Sequence, residues 1–398
     1  MPDAKSILCL SSYEKGQEFL RECRRQGCRV YLITLESLKN ADWPREALDD
    51  IFYMPTLFDR DSTIKAVSYL GRTIHFDSIV ALDDFDVETA ALLREHLRIP
   101  GMGDSTARHF RDKLAMRVRA RAAGIPVPEF IHVLHHPSLA QFMQRVAPPW
   151  VMKPRSEASA IGIRKVQRAE DLWPILEAMG DKQSFYVLEQ FVPGEVFHVD
   201  SIVSGREVIF SSVHKYGLPP MAVAHEGGIF TTRTIAQDSA DGRALLEANR
   251  RVIAALRLVR GVTHTEFIKG NDGVFYFLET ASRVGGANIA EVVEAATGIN
   301  LWREWARIEI AGEDAAYQLP AHRSDYAGIV ISLARQEAPD TSAFSDPEVV
   351  WRMKKKHHVG LIVASKDAQR VETLLGDYAR RIAREFFATA PLPEKPTS

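Results

Sequence analysis

Cysteine is nearly absent from this chain: the 398 residues include three, Cys9, Cys23 and Cys28, all near the N-terminus. An odd number so placed makes no disulfide framework and fits a reducing compartment, so a cytoplasmic location is expected. Cys23 and Cys28 have the wrong spacing and no further partners for a zinc site, and Cys9, in the apolar run SILCL, is expected in the core. Long hydrophobic runs are missing as well. No stretch approaches the roughly 20 apolar residues of a membrane span, and the apolar part of MPDAKSILCLSSYEKG is too short for a signal peptide. No membrane partner is expected. Charge of one sign is also lacking: a formal net charge of −2 gives no basic footprint for nucleic acid. The local exception, Lys354-Lys355-Lys356-His357-His358, reads as a solvated strand or turn. There are no internal repeats, and no GxGxxG follows the first strand, so a dinucleotide site is unsupported. What is present, 46% hydrophobic and 26% charged residues, suits an ordinary globular protein of two or three domains.

Residues 1–105 alternate short apolar strands (SILCLSS, CRVYLITLE, SIVALDD) with helical patterns (EKGQEFLRECRRQG, VETAALLREHL). That alternation predicts a doubly wound parallel α/β domain, with ligands at the carboxyl ends of its strands near Ser11 and Asp83 to Asp86. Asp83, Asp84 and Asp86 also suit a simple helix cap. Next, Ser105 or Thr106 is expected to cap a helix running to Ala123, with Lys113 at its middle and Gly124, Pro126 and Pro128 ending it. Residues 128–193 read as a small α/β lobe, with strands EFIHVL, WVMKPR, IRKV and FYVLEQFV and one helix over AEDLWPILEAMG. A hairpin turned at Ser204-Gly205 follows, then a helix from Ala240 to Leu258. Beyond Arg283 come two helices, NIAEVVEAAT ending at Gly298 and LWREWARIEI. Residues 326–363 read as short strands, AQRVETLLGDYARRIAREFF as an amphipathic helix, and PLPEKPTS as a disordered tail. The expected division is therefore 1–105, 106–310 and a small α+β cap over 311–398.

The most informative stretch is THTEFIKGNDGVFYFLETASRVGGANIAE, from Thr263 to Glu291. Asp272-Gly273 between two apolar, aromatic-rich runs predicts a β-hairpin with a two-residue type I′ turn. Counting from Asn271 opposite Val274 places Gly270 against Phe275, Ile268 against Phe277 and Glu266 against Glu279. Like charges about 5 Å apart across a ladder repel, so something must neutralise them. Ala281 and Arg283 share the face of Glu279 if the strand stays extended. Two carboxylates ligating a divalent cation, with a guanidinium beyond, would answer the repulsion, and oxygen-only ligation suits Mg²⁺. A register slipped by one would instead leave both glutamates merely solvated.

From about 106 to 310 the chain resembles the ATP-grasp superfamily. The resemblance rests on an ordered series: Lys113, Lys153 in VMKPR, a loop of small residues from Ser156 to Gly162, the hinge LEQFVPG, and two glutamates close to an arginine. It implies a two-lobed α+β ATP-grasp fold binding ATP and Mg²⁺, with Mn²⁺ as an alternative. In that scheme Lys113 and Lys153 meet phosphates, as lysine ammonium groups do, and Ser156 and Ser159 lie over them with backbone N–H groups. Glu189, Gln190, Phe191 and Val192 clamp the adenine, either Glu195 or His198 meets the ribose, and Glu266 and Glu279 hold the metal. Arg283 is the catalytic cation. Thr231, Thr232, Arg233, His225 and Glu226, with the Gly285-Gly286 turn, are candidates for the substrate pocket.

Many relatives read E-x-N-x-R at the metal strand, whereas this chain reads Glu279-Thr280-Ala281-Ser282-Arg283. Bacterial L-amino-acid ligases are similar in that departure. The implied activity is a carboxylate–amine ligase acting through an acyl phosphate and releasing ADP and phosphate. Its substrates would be a small carboxylic acid and an amine, amino acids among them, and a homodimer is compatible with it. Biotin carboxylases are more distantly similar. They follow the arginine with R-x-Q-V-E-H, and the glutamate base of that motif has no counterpart in Gly285-Gly286-Ala287-Asn288. The alternative readings are carboxylation of that type and a nucleotide-binding module without catalysis.

Overall fold

The computed structural model describes residues 4–158, 161–312 and 317–389, and at 224–226 the backbone alone. The first unit runs β1 (Ser6–Ser11), α1 (Gln17–Arg25), β2 (Arg29–Leu35), β3 (Asp50–Met54), α2 (Arg60–Leu70), β4 (Ser78–Ala81) and α3 (Val87–Leu97). Its four strands are parallel, in the order β3-β2-β1-β4. All six residues of β1 are buried, as a central parallel strand covered on both faces requires. Cys9, Cys23 and Cys28 are free thiols in this core.

Two short helical pieces follow where one long helix was expected. α4 (Asp104–Ala107) starts after Gly103, and a 3₁₀ turn separates it from α5 (Lys113–Ala122). Asp112 caps α5, its carboxylate accepting from the N–H groups of Leu114 at 2.9 Å and Ala115 at 3.3 Å. Lys113 is therefore the first helical residue rather than a central one. Gly124, with φ 66°, ends the helix as anticipated.

The small lobe contains β5 (Phe130–His132), α6 (His136–Arg145), β6 (Trp150–Pro154), β7 (Arg164–Val166), α7 (Ala169–Met179) and β8 (Tyr186–Gln190). Its sheet runs β5-β8-β6-β7 and closes over a core of its own that includes Leu139, Phe142, Trp150, Leu172 and Leu188.

The rest of the chain builds one large sheet. Its elements are β9 (Gly194–Ser204), β10 (Glu207–Tyr216), α8 (Pro220–Glu226), β11 (Phe230–Thr234), α9 (Ala240–Leu256), β12 (Gly261–Gly270), β13 (Phe275–Ala281), α10 (Ile289–Thr297), α11 (Leu301–Ala311), β14 (Tyr326–Leu333), β15 (Val349–Arg352), β16 (His358–Ser365) and α12 (Ala368–Glu385). The eight strands lie in the order β13-β12-β9-β10-β11-β14-β16-β15. The segment expected as a cap thus supplies three strands to the central sheet, joined through the β11–β14 pairing. The β9–β10 turn is one residue later than anticipated: Ser204 faces Glu207, and positive φ falls at Gly205 and Arg206.

Alternation along the strands gives this sheet two different faces. Phe197, Val199, Val213 and Phe267 pack on Leu245, Val252 and Leu256 of α9. On the other face, Ile202 and Val262 join Ile7, Phe19 and Cys23 of the first unit and Trp305 of α11 in a single core. The ion pairs Arg303–Glu18 at 2.9 Å and Arg307–Glu22 at 2.7 Å fasten α11 to α1 above it.

Candidate active site

Glu266 and Glu279 do face each other across β12 and β13, but the route to that pairing differs from the simple count. The connection is a three-residue loop, Asn271-Asp272-Gly273, closed by Gly270 N–H to Val274 O at 2.9 Å. Only Gly273 has positive φ there, 80°, so the type I′ turn is not formed. Lys269 therefore pairs with Phe275, Ile268 with Tyr276 and Phe267 with Phe277, one residue off the expected register. An irregularity at Leu278 then adds one residue to β13 and restores Glu266 to Glu279.

The repulsion between these carboxylates is met by separate partners. Lys113 Nζ lies 2.8 Å from Glu279 Oε2 and also donates to Glu157 O at 2.6 Å. Glu266 Oε1 accepts from the Tyr216 hydroxyl at 2.7 Å and lies 3.5 Å from His264 Nε2. Burial raises the Glu266 pKa, but His264 and Tyr216 outweigh it and hold the group below its ordinary value. The contacts above engage Oε2 of Glu279 and Oε1 of Glu266, and the two facing carboxylates together are the candidate holders of a divalent cation. A hard cation with water and phosphate oxygens filling its shell fits that donor set.

Helix α5 carries a second cation on the same face. Arg117, one turn after Lys113, is fully buried, with Nε 2.8 Å from Glu189 Oε1. Lys153 Nζ reaches Glu189 Oε2 at 2.8 Å. Burial pushes the Glu189 carboxyl up, yet Arg117 and Lys153 more than offset this and bring it to about 2. One buried glutamate, read in the sequence as part of the adenine hinge, thus anchors the lysine read as a phosphate contact. Along the same hinge, Gln190 N–H donates to Glu129 O at 2.7 Å and Phe191 N–H to Pro149 O at 3.0 Å. Lys165 Nζ stands 4.0 Å from the Phe191 ring centroid, a cation–π contact missed in the sequence. Ser156 is exposed, and its carbonyl takes a hydrogen bond from Arg111. Ser159 and the side chains of His225 and Glu226 lie outside the described residues, as does the tail.

The first unit also reaches the site. Asp84, after β4, pairs with Arg111 at 2.9 Å, and Arg283 Nη2 lies 3.9 Å from the same oxygen. Burial favours its neutral form, but Arg111 and Arg283 prevail and keep Asp84 ionised. Asp83 caps the short 3₁₀ turn Asp84–Asp86, accepting from Phe85 N–H at 2.9 Å, rather than α3 itself, where Asp86 stands at the N-cap without a side-chain capping bond. The strand-end rule gave the place, but a lone aspartate in sequence carries no sign of the arginine it will meet. Arg283 also donates to Val284 O at 2.9 Å. Gly285 packs so tightly that an added Cβ would stand 2.9 Å from His264 Nδ1, whereas Gly286 has open space around it. A cavity lined by Arg94, Met102, Ser282 and Trp305 lies behind this turn and takes no part in the carboxylate cluster.

Two expectations need correction. His198 is fully buried, with Nδ1 2.6 Å from Asp200 and Nε2 2.8 Å from Thr232 Oγ1, so it belongs to the sheet interior; of the two ribose candidates Glu195 is the exposed one, 58% at its side chain and 2.5 Å from Lys215. Arg233 points to the opposite face, where it meets Glu372 of α12 at 2.8 Å. A strand alternates sides, so of Thr231, Thr232 and Arg233 it is Thr232 that shares the face of Glu266.

Residues 146–291 match the family model described as ATP-grasp domain. An L-arginine-specific L-amino acid ligase of Bacillus subtilis is 28% identical over 242 residues, 59% of this chain and 58% of that protein. The chain therefore spans a little over half the length of that relative. A D-alanine–D-alanine ligase of Neisseria gonorrhoeae is 24% identical over 223 residues, 52% of this chain and 69% of that protein. Among solved structures, an L-amino acid ligase from Bacillus licheniformis superposes with a TM-score of 0.76 at 19% identity, covering 97% of this chain and 100% of the other. The sequence match and the shared fold lead to one conclusion: the chain carries an ATP-grasp domain and is homologous to L-amino acid and D-alanine–D-alanine ligases.

Proposed function

We propose that this protein is an ATP-dependent carboxylate–amine ligase that forms an amide or peptide bond through an acyl phosphate, with amino acids among its substrates. The observation that carries the reading is Glu266 and Glu279 facing each other on one hairpin, with Lys113 on Glu279, Lys153 sharing Glu189 with Arg117 of the same helix, and Arg283 just beyond the hairpin's second strand beside Asp84. ATP occupies the space between the small lobe and this hairpin. Lys113 and Lys153 take the phosphates, Ser156 and its loop cover them, the hinge from Glu189 to Val192 meets the adenine, and Glu195 meets the ribose. Glu266 and Glu279 hold Mg²⁺, or Mn²⁺, which when bound supplies charge neutralisation across the transferring phosphate.

A carboxylate oxygen of the acid attacks the γ-phosphorus, and the bond to ADP breaks. The amine then attacks the acyl carbon, and phosphate leaves as the nitrogen loses its proton. Arg283 stabilises the charge on the acyl phosphate and on the tetrahedral oxyanion. The Gly285-Gly286 turn lets backbone approach the acid. Carboxylation of the biotin type is disfavoured because Gly285 to Asn288 offer no base. No described helix is long and apolar enough to cross a membrane, and a cytoplasmic location suits a ligase that draws on ATP.

Labelling tests the route. With ¹⁸O in the acid and an amine acceptor drawn from an ADP-release screen over amino-acid pairs, label should appear in inorganic phosphate. ADP should be the sole nucleotide product, without need of bicarbonate. AMP and pyrophosphate would mean an adenylate and sink the proposal, while strict bicarbonate dependence would restore the carboxylase.

A further inference from the structure

Behind Glu266 lies a group of buried polar side chains that the proposed chemistry does not use. Asp200, on β9, is fully buried. One of its oxygens lies 2.6 Å from His198 Nδ1 and the other 2.9 Å from His264 Nδ1. His198 continues to Thr232 and stacks on His214 with ring centroids 4.5 Å apart. His264 turns its other nitrogen toward Glu266 Oε1 at 3.5 Å and toward the Tyr216 hydroxyl at 3.4 Å, and Tyr216 donates to that Glu266 oxygen. On the side away from Glu266, Gly285 closes onto the same pair. A Cβ there would meet His264 Nδ1 at 2.9 Å and Asp200 Oδ1 at 3.0 Å.

His198, Asp200 and His264 have the residue types of a metal triad, but their spacing is that of hydrogen bonds. Two nitrogens or oxygens sharing a tetrahedral zinc at its usual bond lengths stand about 3.3 Å apart. The contacts at 2.6 and 2.9 Å are shorter, and direct N–H···O bonds account for them.

We propose that Asp200 and His264 form a positioning unit that orients the Glu266 carboxylate on one side and seats the Gly285 turn, two residues beyond Arg283, on the other. The group that holds the metal and the group that stabilises the acyl charge are thereby set by one buried pair. Asp200 fixes the ring orientation of His264. His264 limits the rotation of the Glu266 side chain, and the turn packs onto their shared edge. Hydrogen-bonded partners behind a metal-holding carboxylate commonly contribute 10–100-fold to metal affinity, and they act together rather than additively. The inference deepens the ligase reading and rests on Glu266 being a metal-holding residue.

The test reads metal affinity without turnover. Mn²⁺ binding is followed by electron paramagnetic resonance in the presence of a non-hydrolysable ATP analogue, for Asp200→Asn, His264→Asn, the double variant and His264→Gln. Asp200→Asn and His264→Asn should each weaken Mn²⁺ roughly 10–100-fold while metal-free ADP affinity stays within about threefold. The double variant should be no weaker than the worse single. His264→Gln, whose longer amide reaches toward Glu266, should recover most of the loss. Unchanged Mn²⁺ affinity in folded variants, or losses that add, overturns the proposal. So does stoichiometric zinc in the purified protein that disappears with His264→Asn.

Should the Asp200 and His264 variants fail to fold, Gly285→Ala decides, since it presses on the pair without removing a polar atom. It should weaken Mn²⁺ at least fivefold, and an unchanged value rejects the unit. Failure of the ligase reading would show separately, as Mn²⁺ binding that depends on Glu266 with no ADP-forming ligation for any acid and amine.

Discussion

Among single residues Glu189 shows how a buried charge is kept by its partners. A carboxylate that is 1% exposed is costly to ionise, and only the two cations within hydrogen-bonding reach, Arg117 and Lys153, make that charge tolerable. They bring its pKa from an ordinary 4.5 to about 2. The folded state therefore binds this proton more weakly than the unfolded chain, so the stabilisation is complete above about pH 4.5 and declines as pH falls toward 2. A shift of this size corresponds to roughly 3 kcal/mol. We expect Glu189→Gln to be less stable than wild type at pH 6 by about that amount, with the gap shrinking steadily in denaturant titrations between pH 4.5 and pH 2.5. A gap independent of pH would mean that the variant suffers from lost packing and not from lost charge. Lys153 should also lose its aim, so the same variant should bind ATP more weakly than its stability alone requires.

Helix α5 and the β12–β13 hairpin are the elements that bring the cations and the carboxylates together. α5 begins at the residue that touches Glu279, and Asp112 holds that beginning through its cap and through Arg155, whose Nε is 3.0 Å away. Asparagine caps a helix about as well as aspartate but cannot pair with Arg155 by charge. Asp112→Ala should cost about 1–2 kcal/mol in thermal unfolding and weaken ATP binding, whereas Asp112→Asn should keep most of the cap's share of stability. Equal melting temperatures for the two variants would show that capping does not set where α5 starts. Sequence reading placed this helix and its Gly124 stop, yet put Lys113 in its middle, because Asp112 is as ordinary inside a basic, helix-prone run as at a cap. For the hairpin, the opposition of Glu266 and Glu279 was legible, but through two displacements that cancel. The loop takes three residues instead of two, and Leu278 adds one back. A turn dipeptide signals a hairpin without signalling a bulge, since the bulge depends on packing against β9 and α9. Arg233 and His198 were misjudged for the same reason: their types suit a ligand, but which way a strand faces is decided by the elements laid on it afterwards. The parallel α/β character of the first unit needed no such information, because buried runs joined by helices leave few arrangements, although β3 and α2, with weaker apolar patterns, were not legible.

At the scale of the whole molecule the cores are divided unevenly, and that division has a dynamic consequence. The first unit and the central sheet share one cluster, in which Phe19 meets Trp305 edge-on at 5.1 Å and Ile7 and Cys23 belong with Ile202 and Val262. The small lobe has a cluster of its own, confined to residues between Val133 and Leu188. It is tied to the rest by polar contacts that include Arg117 to Glu189 and the hydrogen bond from Lys113 to Glu157. Separately cored units open at lower free energy than the global transition, and a ligand that binds across the gap raises that energy by mass action. In hydrogen exchange read by mass spectrometry, peptides covering β6 and β8 should exchange well before those covering β1, β9 and β12. The β1 and β9 peptides should exchange together, as parts of one cooperative block. Adding Mg²⁺ and a non-hydrolysable ATP analogue should slow β6, β8 and the hinge from Glu189 to Val192 most, and slow the β12–β13 hairpin too, because phosphates and metal join the lobe to Glu266 and Glu279. Lobe peptides that exchange in step with β9 in the free protein would contradict the division of cores. Protection confined to the lobe, with the hairpin unaffected, would detach Glu266 and Glu279 from the nucleotide and remove the arrangement on which the ligase chemistry depends.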